Sequence, residues 1–143
     1  MSTQSTSKAF LITTQVARVI LGLIFLVFGL NGFLNFIPMP PATGIAREFS
    51  FGLSKAPYFF PFMSLIQVIC GILLLSGLLV PFAVVLLFPI TLNIFFFHLM
   101  LAPEGIGMAV LIMLAHVLLI IKYWPVYKPV FNLTNAWKAK PVV

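Results

Sequence analysis

The chain has 143 residues, 62% of them hydrophobic and 7% charged, with a formal net charge of +6 and a mean hydropathy of +1.20. A water-soluble domain of this length needs far more charge to cover its surface, so this composition excludes one and points to an integral membrane protein. The basic excess has no soluble, aromatic-interleaved domain around it, which argues against nucleic-acid binding and for a topology or lipid-surface role.

The first dozen residues form a polar lead-in. Four apolar windows follow, each about 20 residues long and able to cross a bilayer. They cover residues 16–37, 60–80, 82–101 and 107–124. A backbone in lipid must bond to itself, and no alternating ten-residue segments are present, so a four-helix bundle is expected rather than a barrel. The breaks fall at Pro38, Pro40 and Pro41, at Pro81, at Ala102–Gly105 and at Pro125, where ring geometry and missing donors interrupt helices. The first window is too long for a signal-peptide core and lacks a small-residue cleavage pattern, so it reads as an anchor. The whole of 1–143 reads as one membrane domain.

Within the first window, Gly22, Gly29 and Gly32 make a small-residue face suited to close helix approach, while Asn31 lies on the other side. Two alternatives follow: this helix is central in the bundle, or its glycine face meets a protein partner or a second copy. Between the first two spans, Ile45, Phe49 and Leu53 recur every four residues behind Thr43, a potential helix cap. A short helix on the membrane interface is expected there, covering the bundle mouth, with Arg47, Glu48, Lys55 and Glu104 nearby as solvated or ligand-recognising charge.

Counting the helix rise inward from the end of the bundle away from the termini, Asn31 lies about 9 Å deep and Gln67 about 10 Å. Asn93 comes at about 12 Å and His116 at about 13 Å. Each span would then offer one hydrogen-bonding group to a common polar layer, in which Asn31 meets Gln67, Asn93 and His116. Ser64, Gln67 and Gly71 share one face of the second span. Ala109, Met113, His116, Ile120 and Tyr123 form a stripe on the fourth, and Pro89 should kink the third beside Asn93. The layer is either structural glue or a site for a small molecule or proton. Asn31, Gln67, Asn93, His98 and His116 are the candidate ligand-binding residues. His98 and His116 differ by about 9 Å in depth, too far for one shared haem iron. The carboxylates, Glu48 and Glu104, lie in connections, so no metal site is expected. The lone Cys70 offers no dithiol chemistry.

Six basic residues, Lys8, Arg18, Lys122, Lys128, Lys138 and Lys140, gather on the side of the termini, against Arg47 and Lys55 opposite. The positive-inside rule places both termini in the cytoplasm. Tyr123, Trp124, Tyr127 and Trp137 alternate with lysines in a tail (125–143) that reads as an interfacial anchor. The sequon Asn132-Leu133-Thr134 falls on that side and is taken as chance.

The stretches RVILGLIFLVFGLNGFLNFIPMPP (18–41) and FPITLNIFFFHLMLAPEG (88–105) resemble the DoxX family of small four-helix membrane proteins, over about residues 16–125. The Gly-Leu-Asn unit at Gly29–Asn31 and the Asn-x-x-x-x-His-Leu unit at Asn93–Leu99 carry the resemblance. It implies a multi-pass protein of the bacterial inner membrane, associated with redox systems such as thiosulfate:quinone oxidoreductase or with partners including superoxide dismutase and a sulfurtransferase. Many relatives carry lysine where Gly32 stands, glutamate where Gln67 stands and a further acid near His116, and this chain has none of these. No redox-active residue set exists in the sequence, so electron chemistry would come from a bound cofactor or partner. The expected function is therefore a non-catalytic subunit that docks redox or assembly partners. The alternative is a quinone- or sulfur-compound-binding oxidoreductase subunit using the polar layer. A small-solute transporter fits less well, without an inverted repeat or a buried charge pair.

Overall fold

The structure, a computed structural model, describes residues 7–131. Trp137, Lys138, Lys140 and the sequon lie outside the described residues. Five α-helices are present: α1 (Lys8–Leu34), α2 (Gly44–Ser54), α3 (Phe59–Ser76), α4 (Val80–Met100) and α5 (Ile106–Tyr127). Among the described residues there is no strand. Four of the helices are long and apolar enough to cross a membrane, and the short α2 stands between the first two. The expected all-helical, four-span membrane architecture is the one observed.

The spans close into a ring in which α1 touches α3 and α5, and α4 touches α3 and α5. Leu21, Phe25, Leu74, Leu87 and Leu119 fill its axis. The outward surface is apolar as well: Leu23, Ile72, Phe82 and Leu114 are all exposed, as suits side chains that meet acyl chains.

Helix boundaries differ from the sequence expectation for local reasons. The first helix starts at Lys8 instead of near residue 16, and buried Thr14 returns its hydroxyl to the Leu11 carbonyl, so the polar lead-in is helical from Lys8. It ends at Asn35, which takes the left-handed conformation (φ 50°) and donates its backbone N–H to the Asn31 carbonyl. Helix α3 ends at Ser76 and not at residue 80, because Gly77 adopts φ 78° and donates to the Leu73 carbonyl, the usual left-handed stop. Pro81 sits in the first turn of α4, where no donor is needed. Pro125 does not end α5, which continues to Tyr127. The donor it lacks would serve Ile121, close to the helix end on an exposed face.

The α1–α3 contact is the closest in the bundle. A methyl group added at Gly29 would come within 2.9 Å of Gln67 and Val68. One at Gly22 would reach Leu74 and Leu75, and one at Gly32 would strike Ser64. The glycine face is thus occupied inside the chain by α3, so of the two alternatives for Gly22, Gly29 and Gly32 the contact within the bundle is the one observed. Gly71 answers from α3, its added methyl lying 2.7 Å from the Leu26 backbone nitrogen. Near the other end of the same seam, Arg18 donates to the carbonyls of Leu74 and Leu75 while its Nε holds Gln15 at 2.8 Å. These are terminal α3 carbonyls with no helical donor, so a residue expected only as a topology signal also caps a helix.

Gly71→Ala should therefore force two backbones apart and lower stability by about 1–3 kcal/mol. Gly52→Ala, in open space on α2, should match or exceed the wild type by up to about 1 kcal/mol. Thermal unfolding of both variants in one detergent measures the contrast.

Candidate functional site

The five candidate residues do not converge. Asn31 is buried, and its carboxamide turns to its own chain. Its Oδ1 accepts the Ile37 N–H at 2.6 Å and its Nδ2 donates to the Ile37 carbonyl at 3.3 Å. That pair closes the turn by which α1 gives way to Pro38. Asn31 is a brace for the chain exit, not a member of a shared layer.

His116 is fully buried and is bound by groups other than those expected. Its Nε2 lies 3.0 Å from the Val84 carbonyl and its Nδ1 2.9 Å from the Thr91 hydroxyl. A carbonyl only accepts, so Nε2 carries the proton; in the neutral ring Nδ1 then accepts from Thr91. Both nitrogens are used, and the ring tilts against Phe88 with centroids 5.6 Å apart. The histidine ties α5 to the stretch of α4 around Pro89. On α5 the buried face is Ala109, Ile112, Ala115, His116 and Leu119, rotated from the expected stripe through Met113 and Ile120.

Asn93 departs furthest from expectation. It is exposed on the outside of α4 and reaches none of the other candidates. Thr91, two residues earlier, is fully buried. At about 100° per residue the two point to opposite sides, and only Thr91 shares the inward face of Val84 and Leu87. Sequence reasoning missed Thr91 by counting carboxamides and imidazoles alone; the register with Val84 and Leu87 was the available signal.

Gln67 and His98 do meet a common feature, a cavity of about 610 Å³ at the end of the bundle away from the termini. Its walls come from α1 (Phe25, Phe28), α4 (Ile94, Phe97) and α5 (Met108, Ile112), and residues 39–42 border its mouth. Helix α2, expected to cover the mouth, contributes no wall residue. It joins α4 through Phe49 against Phe97, at 5.8 Å. Thr43 stands at its N-cap position without a side-chain bond, and the buried residue is Ala46, with Ile45 exposed.

The polar groups of the cavity are few. Gln67 is 7% exposed, and its carboxamide makes no hydrogen bond to any described residue. It sits on the buried α3 face with Ser64 and Gly71, as the spacing requires. His98 donates Nδ1–H to the Ala102 carbonyl at 3.0 Å, which leaves Nε2 as the open ring nitrogen. The ring lies over Gly105, where an added methyl would collide with it. Glu104 is exposed at the rim. Among the described residues, no group of three or more His, Cys, Asp and Glu gathers to hold a metal. A cavity of this size with apolar walls and a few convergent polar groups suits one organic molecule with a polar head.

The DoxX family model matches residues 13–100, more than half of the chain. The chain belongs to the DoxX family. The match includes Gln67, Thr91, Asn93 and His98 and stops before α5, so His116 lies beyond it, whereas the resemblance read from the sequence ran to about residue 125. No curated protein matches the chain, and no solved structure does.

Thr91→Val would leave His116 Nδ1 buried without a donor. It should cost about 1–3 kcal/mol of stability, with most of the loss recovered in Thr91→Ser. Thermal unfolding of both variants in detergent checks this.

Proposed function

We propose that this DoxX protein is a membrane-embedded binding subunit for an apolar molecule with a hydrogen-bonding head, a quinone by class, and that it works beside a redox partner. The observation that carries this reading is the Gln67 carboxamide, on a residue nine-tenths buried, without a partner among the described residues and open to the cavity. The amide atoms are not sealed off in the protein but open to the cavity, so a ligand there can hydrogen-bond with them at a gain of about 0.5–1.5 kcal/mol. The redox setting rests on family membership.

The chemistry of the donor set fits the head of a quinone. The Gln67 amide N–H suits a ring carbonyl and its oxygen suits a ring hydroxyl, so one residue serves both oxidation states. Bound quinone supplies the exchange of two electrons and two protons. His98 Nε2 is the nitrogen placed to take or give a proton, since Nδ1 is held by Ala102 and the ring is seated on Gly105. Phe25, Phe28 and Phe97 exclude water from the head, and the cavity's position at the end of a span lets an apolar tail lie in the bilayer. Partner docking, the leading expectation from sequence, enters as the source of any electron chemistry.

We infer that both termini face the cytoplasm of a bacterial inner membrane, with the cavity toward the opposite face. The basic residues Lys8, Arg18, Lys122 and Lys128, near the first and last described residues, support this reading.

The test is equilibrium titration of a short-tailed quinone into protein held in lipid nanodiscs. Saturable binding above partition into protein-free nanodiscs is expected. Gln67→Leu should weaken it about ten-fold, the loss of one buried hydrogen bond. Gly105→Ala, which displaces the His98 ring, should weaken binding without unfolding the bundle. Uptake no greater than that of empty nanodiscs overturns the reading.

A further inference from the structure

Asn93 stands where a carboxamide has no reason to stand in a lone bundle. It lies seven residues before the end of α4, about 10 Å inside by the helix rise. A side chain as short as asparagine cannot extend from there to the headgroups. Its neighbours on the helix surface are Phe82, Val85, Pro89, Phe96 and Met100, and all six fall within about 80° of one another around the axis. Phe82 and Val85 are each 57% exposed, Phe96 52% and Met100 71%. Pro89 has no N–H to return to the Val85 carbonyl, so the same stripe also carries a carbonyl without its normal helical donor. Asn93 makes no hydrogen bond to any described residue, and polar groups facing lipid are costly and seek partners.

We propose that this stripe of α4 is a self-association surface, in which Asn93 pairs with Asn93 of a second copy. The partner follows from depth and chemistry. Two copies inserted in the same sense are related by a two-fold axis along the membrane normal, which sets equal residues at equal depth. A carboxamide is both donor and acceptor, so the pair exchanges one N–H···O bond in each direction with no other group required. The glycine face of α1, the other surface suited to close approach, is already filled by α3. The inference is independent of the cavity and of its ligand.

Cysteine cross-linking in native membranes tests it. In a Cys70→Ala background, Asn93→Cys should give on oxidation a disulfide-linked species of twice the 15.9 kDa monomer mass. Leu111→Cys, exposed on α5, should not. Energy transfer between labelled copies in vesicles should show association about ten-fold weaker for Asn93→Leu, with its thermal unfolding unchanged. The proposal fails if Asn93→Cys stays monomeric or links only to a protein of different mass. Equal cross-linking of Leu111→Cys, or equal association of Asn93→Leu, overturns it too.

Discussion

The interior of a bilayer contains no water, and that absence governs where each polar group of this chain can go. A carboxamide, a hydroxyl or a terminal helix carbonyl must find its partner in protein or leave an unmet hydrogen bond in hydrocarbon. Most groups here are met locally. Asn31 folds back on Ile37, and Thr13 and Thr14 return to carbonyls of their own helix. Arg18 reaches across to the last turn of α3. Tyr127 ties α5 to the Pro81 carbonyl at 2.8 Å. His116 is met on both nitrogens at once, which makes it a strut between α4 and α5 rather than a reactive centre.

The seam between α1 and α3 shows how the glycines serve the same constraint. Dispersion is a principal attraction between helices in lipid, since acyl chains are as apolar as leucine. Contact must be close to be useful, and Gly22, Gly29 and Gly32 on one side with Gly71 on the other remove the side chains that would hold the backbones apart. Close approach also seats Gln67 beside Gly29, so the packing that stabilises α1 against α3 fixes the residue that opens on the cavity. A lysine at position 32, which the resemblance read from the sequence leads one to expect, would meet Ser64 here. The departure at Gly32 is therefore coupled to the geometry of this seam, not only to charge.

What the sequence makes legible is the part written in one dimension. Span number follows from apolar length, the α3 face from the spacing of Ser64, Gln67 and Gly71, and the presence of a short helix at 44–54 from its own period. The polar layer rests on depth, with faces assigned only on the second and fourth spans, and depth does not say which way a side chain points. Helix α4 is apolar on every side, so its inward face has no polar contrast to reveal it. Asn93 and Thr91 differ by two residues, and that small step places one in lipid and the other against His116. The Asn31 bond to Ile37 was invisible for another reason. It depends on a left-handed residue at Asn35, an uncommon conformation outside glycine.

Two carboxamides within the spans, Gln67 and Asn93, are left without partners among the described residues, and their surroundings separate their roles. Gln67 faces a cavity lined by all four spans, a space of a size for one small molecule. Asn93 faces outward on a stripe of exposed aromatic and aliphatic side chains, along which a second helix can lie. The same energetic demand thus calls for a ligand in one place and a protein in the other. The two sites meet α4 on adjoining faces, with the cavity wall Phe97 one turn from Asn93. Ile94 and His98, which line the cavity, stand on the inward side, and Asn93 on the outward side. A second copy docked along Asn93 would leave the cavity walls from α1, α3 and α5 untouched and would restrain α4 from behind.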